Sequence, residues 1–230
     1  MGVVDLSMDS VELLKNLERE GDRAAVPGGG AFYRSSKRVL DIILSLVLIV
    51  LTLPIMILAV MMVKLGSRGP IIFKQTRAGK EVKPFTMLKF RTMHIGAQED
   101  QATLKHLNYQ NGPVFKVIDD PRLVRFGKFL RQSSIDELPQ LFNVLVGQMS
   151  LVGPRPLWLP EAKKAVGAAK LRTQVKPGLT CLWQISGRSE LSYEQWVVLD
   201  LYYIRKRNIL LDMLIIAQTL PAVLNAHGAY

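Results

Sequence analysis

The sequence predicts an α+β fold: a compact domain with several short helices and a small β-hairpin, anchored by one apolar N-terminal helix. Three observations carry that reading. One apolar run, Val39 to Val63, is far longer than any other. Only two segments, close together in the chain, have strand character. The remaining helical pieces are short and cut apart by Gly and Pro. The 230 residues suit one domain with an appendage. Apolar residues make up 49% and mean hydropathy is +0.18, which excludes disorder of the whole chain. Cys181 is the single cysteine, so no disulfide scaffold exists and a reducing compartment is expected. The formal charge is +11. A protein both oily and basic suits a partner that is apolar and anionic, such as a membrane surface or a phosphate ester.

Residues 1–33 form a polar extension with one short helical stretch, closing in the flexible Val26-Pro27-Gly28-Gly29-Gly30. The start lacks a basic region leading into an apolar one, so no signal peptide is expected. Residues 34–64 form the membrane segment. Its 25-residue core, Val39 to Val63, has Asp41 as its only charge. As one helix it measures about 37 Å, enough to cross a hydrocarbon core of about 30 Å. Two features argue against a plain span. Arg34, Lys37 and Arg38 precede the run while Lys64 and Arg68 follow it, and each flank prefers the cytoplasmic side. Pro54 removes a backbone hydrogen bond and invites a kink. A bent, re-entrant helix satisfies both flanks, whereas a kinked spanning helix satisfies one; the physics of the segment admits either.

Residues 65–230 form the remaining domain. Pro70–Gln75 and Pro84–Arg91 read as two strands joined by a turn at Ala78-Gly79-Lys80. Glu99–Leu107 has helical character, a helix opens near Ser134, and two more cover Ser192–Arg205 and Ile209–Asn225.

The chemistry concentrates in Arg131-Gln132-Ser133-Ser134-Ile135-Asp136-Glu137-Leu138-Pro139-Gln140-Leu141. Ser133 or Ser134 can cap a helix, and acids in a first turn suit its dipole, which is the purely structural account of Asp136 and Glu137. The context adds a second account. Arg131 stands just upstream, and Gly153-Pro154-Arg155-Pro156 presents an arginine on a backbone stiffened by two prolines. Rigid guanidinium groups suit bidentate phosphate binding. A carboxylate beside them can attack the phosphate or bind its metal.

These residues, with Asp120-Pro121-Arg122, Gly127, Phe142-Asn143-Val144-Leu145 and Met149-Ser150-Leu151-Val152, resemble the bacterial sugar transferase family. Its members are monotopic polyprenyl-phosphate phosphoglycosyl transferases. Further blocks agree: Lys37-Arg38 with Asp41, Lys89-Phe90-Arg91-Thr92-Met93, Lys176-Pro177-Gly178-Leu179-Thr180, Leu182-Trp183-Gln184-Ile185-Ser186-Gly187-Arg188 and the closing Gly228-Ala229-Tyr230. The resemblance runs from about residue 34 to the end and suggests a short catalytic form. It implies a re-entrant helix kinked at Pro54 and a catalytic domain on the cytoplasmic face of the bacterial inner membrane. It also implies transfer of a sugar 1-phosphate from a UDP-sugar to undecaprenyl phosphate, with release of UMP. Asp136 would be the nucleophile and a Mg²⁺ ligand, with Glu137 assisting. Lys89, Arg131, Arg155 and Arg188 would hold phosphate or nucleotide groups, and Asp212 and Arg91 match further polar positions of the family. Solvent-facing roles remain open for these cations, as does a capping role for Asp212. Trp183 and Trp196 read as core or interface aromatics. His94, His106 and His227 lack metal-ligand spacing.

Two positions depart from the family pattern. Gln148 stands where relatives often carry an acid, and Cys181 where they usually carry glycine. The rival reading is a non-catalytic, membrane-anchored basic module that binds anionic lipid or nucleic acid. The basic residues are scattered among Pro/Gly loops and accompanied by carboxylates, which disfavours that reading and a nucleic-acid partner with it. A homo-oligomer remains open.

Overall fold

Val39 to Val63 falls inside the longest element of the computed structural model, helix α1 (Ala31–Gly66). The structure describes residues 30–108, 119–165, 167–187 and 191–224, with Phe115 and Val117. The extension up to residue 29, Arg188, His227 and the closing Gly-Ala-Tyr lie outside the described residues. α1 runs 36 residues, longer at both ends than the composition predicts, and Pro54 lies inside it. Two residues nearer its start, Thr52 Oγ1 donates to the Leu48 carbonyl at 2.7 Å, a back-bond of the kind that bends helices.

One face of α1 is buried along its length. Asp41, Ser45, Met56, Ala59 and Val63 are covered, and half-buried Leu48 and Thr52 fill the gap between them. Those steps of three and four residues define one helical stripe. The other faces expose Leu46, Val50, Leu53 and Ile57.

β1 (Ile72–Ala78) and β2 (Pro84–Phe90) pair antiparallel, with Phe73 opposite Lys89. Their connection is wider than an Ala78-Gly79-Lys80 turn: a 3₁₀ turn at Lys80–Val82 intervenes, and Gly79 N bonds the Lys83 carbonyl at 2.8 Å. Glu99–Leu107 forms two 3₁₀ turns, Glu99–Gln101 and Lys105–Leu107, rather than a helix. α2 (Gly127–Gln132) follows. The helix expected near Ser134 is split into a 3₁₀ turn, Ile135–Glu137, and α3 (Gln140–Leu145). Pro139 separates them because it has no N–H to continue the ladder, yet fits ahead of a new first turn. Ser133 and Ser134 make no side-chain cap; Ser133 Oγ donates back to the Phe129 carbonyl at 2.7 Å.

A second sheet had no counterpart in the sequence reading. β3 (Ser150–Val152) pairs parallel with β4 (Gly178–Thr180). The backbones approach so closely that a Cβ on Gly178 would strike Gly153 N and O, so both positions require glycine. Short helices α4 (Leu159–Lys164), α5 (Gly167–Leu171) and α6 (Leu182–Ile185) follow β3 in the chain, the last of them directly after β4. α7 (Tyr193–Lys206) opens on a capping box between Ser192 and Gln195, and α8 (Ile209–Leu224) closes the described chain. The main core gathers Leu141, Val144, Met149, Leu151, Leu182, Leu199, Ile204 and Ile215. Trp183 and Trp196 stack inside it with centroids 4.5 Å apart, as core aromatics. A smaller cluster packs Met56, Ala59 and Val63 of α1 on Phe90 and Leu130.

Candidate active site

The 3₁₀ turn that follows Ser134 sets the site. Ser134 takes a left-handed φ of 56°, reversing the chain after α2 so that Asp136 points inward. Asp136 is 5% exposed. β2 supplies Lys89, whose Nζ lies 2.6 Å from Glu137 Oε1 and 3.6 Å from Asp136 Oδ2. The turn after β3 supplies Arg155, whose guanidinium donates to the same Glu137 Oε1 at 2.8 Å. That guanidinium also lies 5.7 Å from the Trp183 ring, in range of a cation–π contact. Sheet and loop thus bring together residues 89, 136, 137 and 155, which the sequence keeps far apart.

The two adjacent carboxyls are driven in opposite directions. Burial, reinforced by the Glu137 charge, holds Asp136 above the ordinary aspartate range, although Lys89, Arg131 and Arg155 pull it down. Burial also works to raise Glu137, but the charges of Arg155 and Lys89 outweigh it and hold that carboxyl well below its usual range. Glu137 is therefore the clamped anion. Asp136 is the carboxylate whose charge is least compensated. Arg131, in the last turn of α2, acts on Asp136 through its field.

Other sequence candidates fall elsewhere. Arg91 is buried at the end of α1, donating to the Ser67, Arg68 and Pro70 carbonyls at 3.1, 2.9 and 2.7 Å. Asp212 is buried in a separate polar cluster. Tyr203 Oη donates to it at 2.7 Å, Tyr33 Oη at 2.9 Å, and Lys37 Nζ lies 3.0 Å away. In the neighbouring turn of α1, Asp41 accepts from Ser150 Oγ and Leu151 N, both at 3.0 Å. Among the described residues, no group of three His, Cys, Asp or Glu side chains can hold a metal by itself. Cys181 adopts extended φ −154°, so glycine is not needed there; its buried thiol lies 3.1 Å from Gln184 Oε1.

Two residues beside the site have no role in the sequence reading, although Asn143 falls within one of the blocks that carry the family resemblance. Arg77 lies half-buried against the Pro156 carbonyl, and desolvation, with the Arg155 charge, lowers it to about 10. Asn143 is buried in α3 against β2. The available signal was Asn143 itself, a polar side chain at an inward position of an apolar helix.

The bacterial sugar transferase model matches residues 32–226. The chain belongs to the bacterial sugar transferase family. It is 46% identical over 162 residues to the galactosyl transferase CpsE of Streptococcus agalactiae, covering 70% of this chain and 36% of that one. It is 38% identical over 205 residues to the undecaprenyl-phosphate galactose phosphotransferase of Salmonella typhimurium, covering 86% and 42%. It is 36% identical over 202 residues to the exopolysaccharide production protein ExoY of Sinorhizobium fredii, covering 85% and 88%. The chain thus spans less than half the length of the first two and most of the third. All of α1 but its first residue, both sheets and the 89–136–137–155 constellation lie within the matched segment.

Proposed function

We propose that the protein transfers a sugar 1-phosphate from a UDP-sugar to a polyprenyl phosphate such as undecaprenyl phosphate, releasing UMP, as a first membrane step of polysaccharide or glycoconjugate assembly. The observation that supports this most is the division of labour between adjacent carboxyls. Glu137 is neutralised by Lys89 at 2.6 Å and Arg155 at 2.8 Å, while Asp136, one residue away, has only the longer 3.6 Å pair with Lys89. An Asp136 oxygen attacks the phosphorus that bears the sugar. The bond from that phosphorus to the bridging oxygen breaks, and UMP leaves with the electron pair. The acceptor's phosphate oxygen then attacks the same phosphorus and displaces the Asp136 carboxylate, giving a polyprenyl diphosphosugar. Lys89, Arg131 and Arg155 lower the cost of bringing an anionic nucleophile to an anionic diphosphate. Arg188 is assigned the same duty from the sequence.

Mg²⁺ fits this donor set. A hard cation that keeps several waters needs one or two carboxylates plus substrate phosphates, and Asp136 supplies the carboxylate. When bound, the ion would reduce the repulsion between nucleophile and diphosphate. The names of the relatives suggest a hexose such as galactose or glucose.

α1 fits a helix that enters and leaves the cytoplasmic leaflet of the bacterial inner membrane. Its buried stripe, from Asp41 to Val63, keeps both halves on the catalytic domain while its outer faces stay apolar. The testing experiment mixes the protein with undecaprenyl phosphate and a panel of UDP-sugars and measures UMP. Release with at least one hexose donor, abolished by EDTA and restored by Mg²⁺, is the expected result. A basic lipid-binding module releases none under any condition. Full turnover in excess EDTA would leave the cationic side chains as the sole clamp.

A further inference from the structure

We infer that Asn143 is a positioning residue that sets Lys89 against the two carboxylates, an assignment resting on the transfer reaction proposed above. β2 is an edge strand: its sheet has two strands, and β1 occupies one side. An unpaired edge leaves outward N–H and C=O groups without partners. The Asn143 side chain supplies both partners. Its Oδ1 accepts from Leu88 N at 3.0 Å, and its Nδ2 donates to the Thr86 carbonyl at 2.8 Å. One amide thereby imitates a neighbouring strand over the two residues that lead into Lys89.

The orientation of that amide is fixed. Leu88 N–H can only donate, so the atom facing it must be Oδ1. That leaves Nδ2 for two acceptors, the Thr86 carbonyl and Gln148 Oε1 at 2.7 Å. Gln148 stands where relatives often carry an acid; here its side chain holds the Asn143 amide. Asn143 is 2% exposed, so water cannot replace these bonds cheaply. Its rigidity is passed directly to the next residue, because Lys89 follows Leu88 and its ammonium must meet Glu137 at 2.6 Å and Asp136 at 3.6 Å. A misplacement near 1 Å at such a group costs on the order of a hundredfold in rate. Asn143 touches neither carboxylate among the contacts described, so it acts through β2.

A double-mutant cycle with a chemical probe tests this. Asn143→Leu, nearly isosteric, should lower kcat for UMP release by about thirtyfold or more when Lys89 is present. In a Lys89→Met background the same change should cost less than about threefold. A merely structural Asn143 reduces the active fraction equally in both backgrounds, and equal losses would overturn the assignment. The second readout needs no turnover. Acylation of Lys89 by a water-soluble amine reagent, followed by mass spectrometry, should accelerate severalfold in Asn143→Leu, while that of exposed Lys128 stays constant. Unchanged Lys89 labelling overturns the positioning role. Faster labelling in a protein whose wild-type form releases no UMP would fault the transfer reading alone. If Asn143→Leu does not fold, Asn143→Asp is read the same way: it keeps the acceptor for Leu88 N but turns an oxygen toward the Thr86 carbonyl and Gln148 Oε1.

Discussion

Asp136 and Glu137 are adjacent carboxyls whose surroundings give them different chemistry. Replacing Asp136 by Asn removes the nucleophile of the proposed transfer while keeping its shape, so turnover should fall by at least about a thousandfold and no covalent phosphosugar adduct should form. Intact-mass measurement after mixing with donor alone checks it; an adduct at full yield in the variant would remove Asp136 from the mechanism. Glu137 carries a different prediction. Its folded carboxyl is held below the usual range, so its ionised form favours the fold. That contribution is complete above the unfolded value, about 4.3, and is lost as pH falls toward the folded value. Asp136, held above its range, has the opposite sense: its contribution is complete below about 3.9 and lost as pH rises through its folded value. The thermal midpoint of the wild type should therefore fall more between pH 6 and pH 3 than that of Glu137→Gln. Equal slopes would mean that the clamp by Lys89 and Arg155 does not stabilise the fold. Asp136, Glu137 and Arg155 were legible as candidates, because carboxylates beside proline-framed arginines signal phosphate chemistry, whereas Lys89 entered only through the family resemblance. Their convergence on one Glu137 oxygen was not, since it depends on how β2 and the turn after β3 pack.

At the scale of elements, legibility follows length. α1, α7 and α8 announce themselves through long apolar or amphipathic runs, and their observed ends fall close to the expected ones. β3 and β4 are three residues each, too short for any periodicity to be read. The motifs that contain them stand out in the sequence, yet their glycines serve the parallel pairing itself. Arg91 shows the same limit. It lies in a block that resembles the family, but the folded chain uses it to gather carbonyls where α1 ends and the chain turns into β1. Each hydrogen bond from a charged donor contributes about 1.5–3 kcal/mol, and a lysine reaches at most one or two of these acceptors. Arg91→Lys should thus lose about 3 kcal/mol, or roughly 6–12 °C in thermal midpoint for a chain of this size. KM for the sugar donor should stay within about twofold. A raised KM with an unchanged midpoint would return Arg91 to the substrate site.

The whole molecule is organised by how α1 meets the domain. Its 36 residues measure about 54 Å as a continuous helix, well beyond a hydrocarbon core of about 30 Å. A spanning helix would leave the domain behind at one end. Instead Asp41 bonds β3, Lys37 meets Asp212 of α8, and Val63 packs with Phe90 and Leu130, so contacts begin near one end and continue to the other. From Asp41 to Val63 that contact runs about 33 Å. If α1 crossed the bilayer, the basic domain docked along it would have to sit in hydrocarbon, where each lysine, arginine or aspartate costs about 2.5–3.5 kcal/mol even on insertion scales. A domain of net charge +11 cannot follow its helix there. The re-entrant topology proposed above meets both demands, with α1 half in one leaflet and the domain beneath it. Pro54, exposed on the outer side, removes a backbone bond where such a helix must bend. Cysteines placed at exposed Ser35 and at exposed Arg68, in a Cys181→Ser background, should both react with an impermeant maleimide in inside-out vesicles and neither in intact spheroplasts. Labelling of one from the periplasmic side would mean that α1 spans. On that reading Pro54→Leu restores a backbone hydrogen bond and disfavours the bend, so it should shift part of the population toward spanning, seen as new periplasmic labelling at one of the two positions.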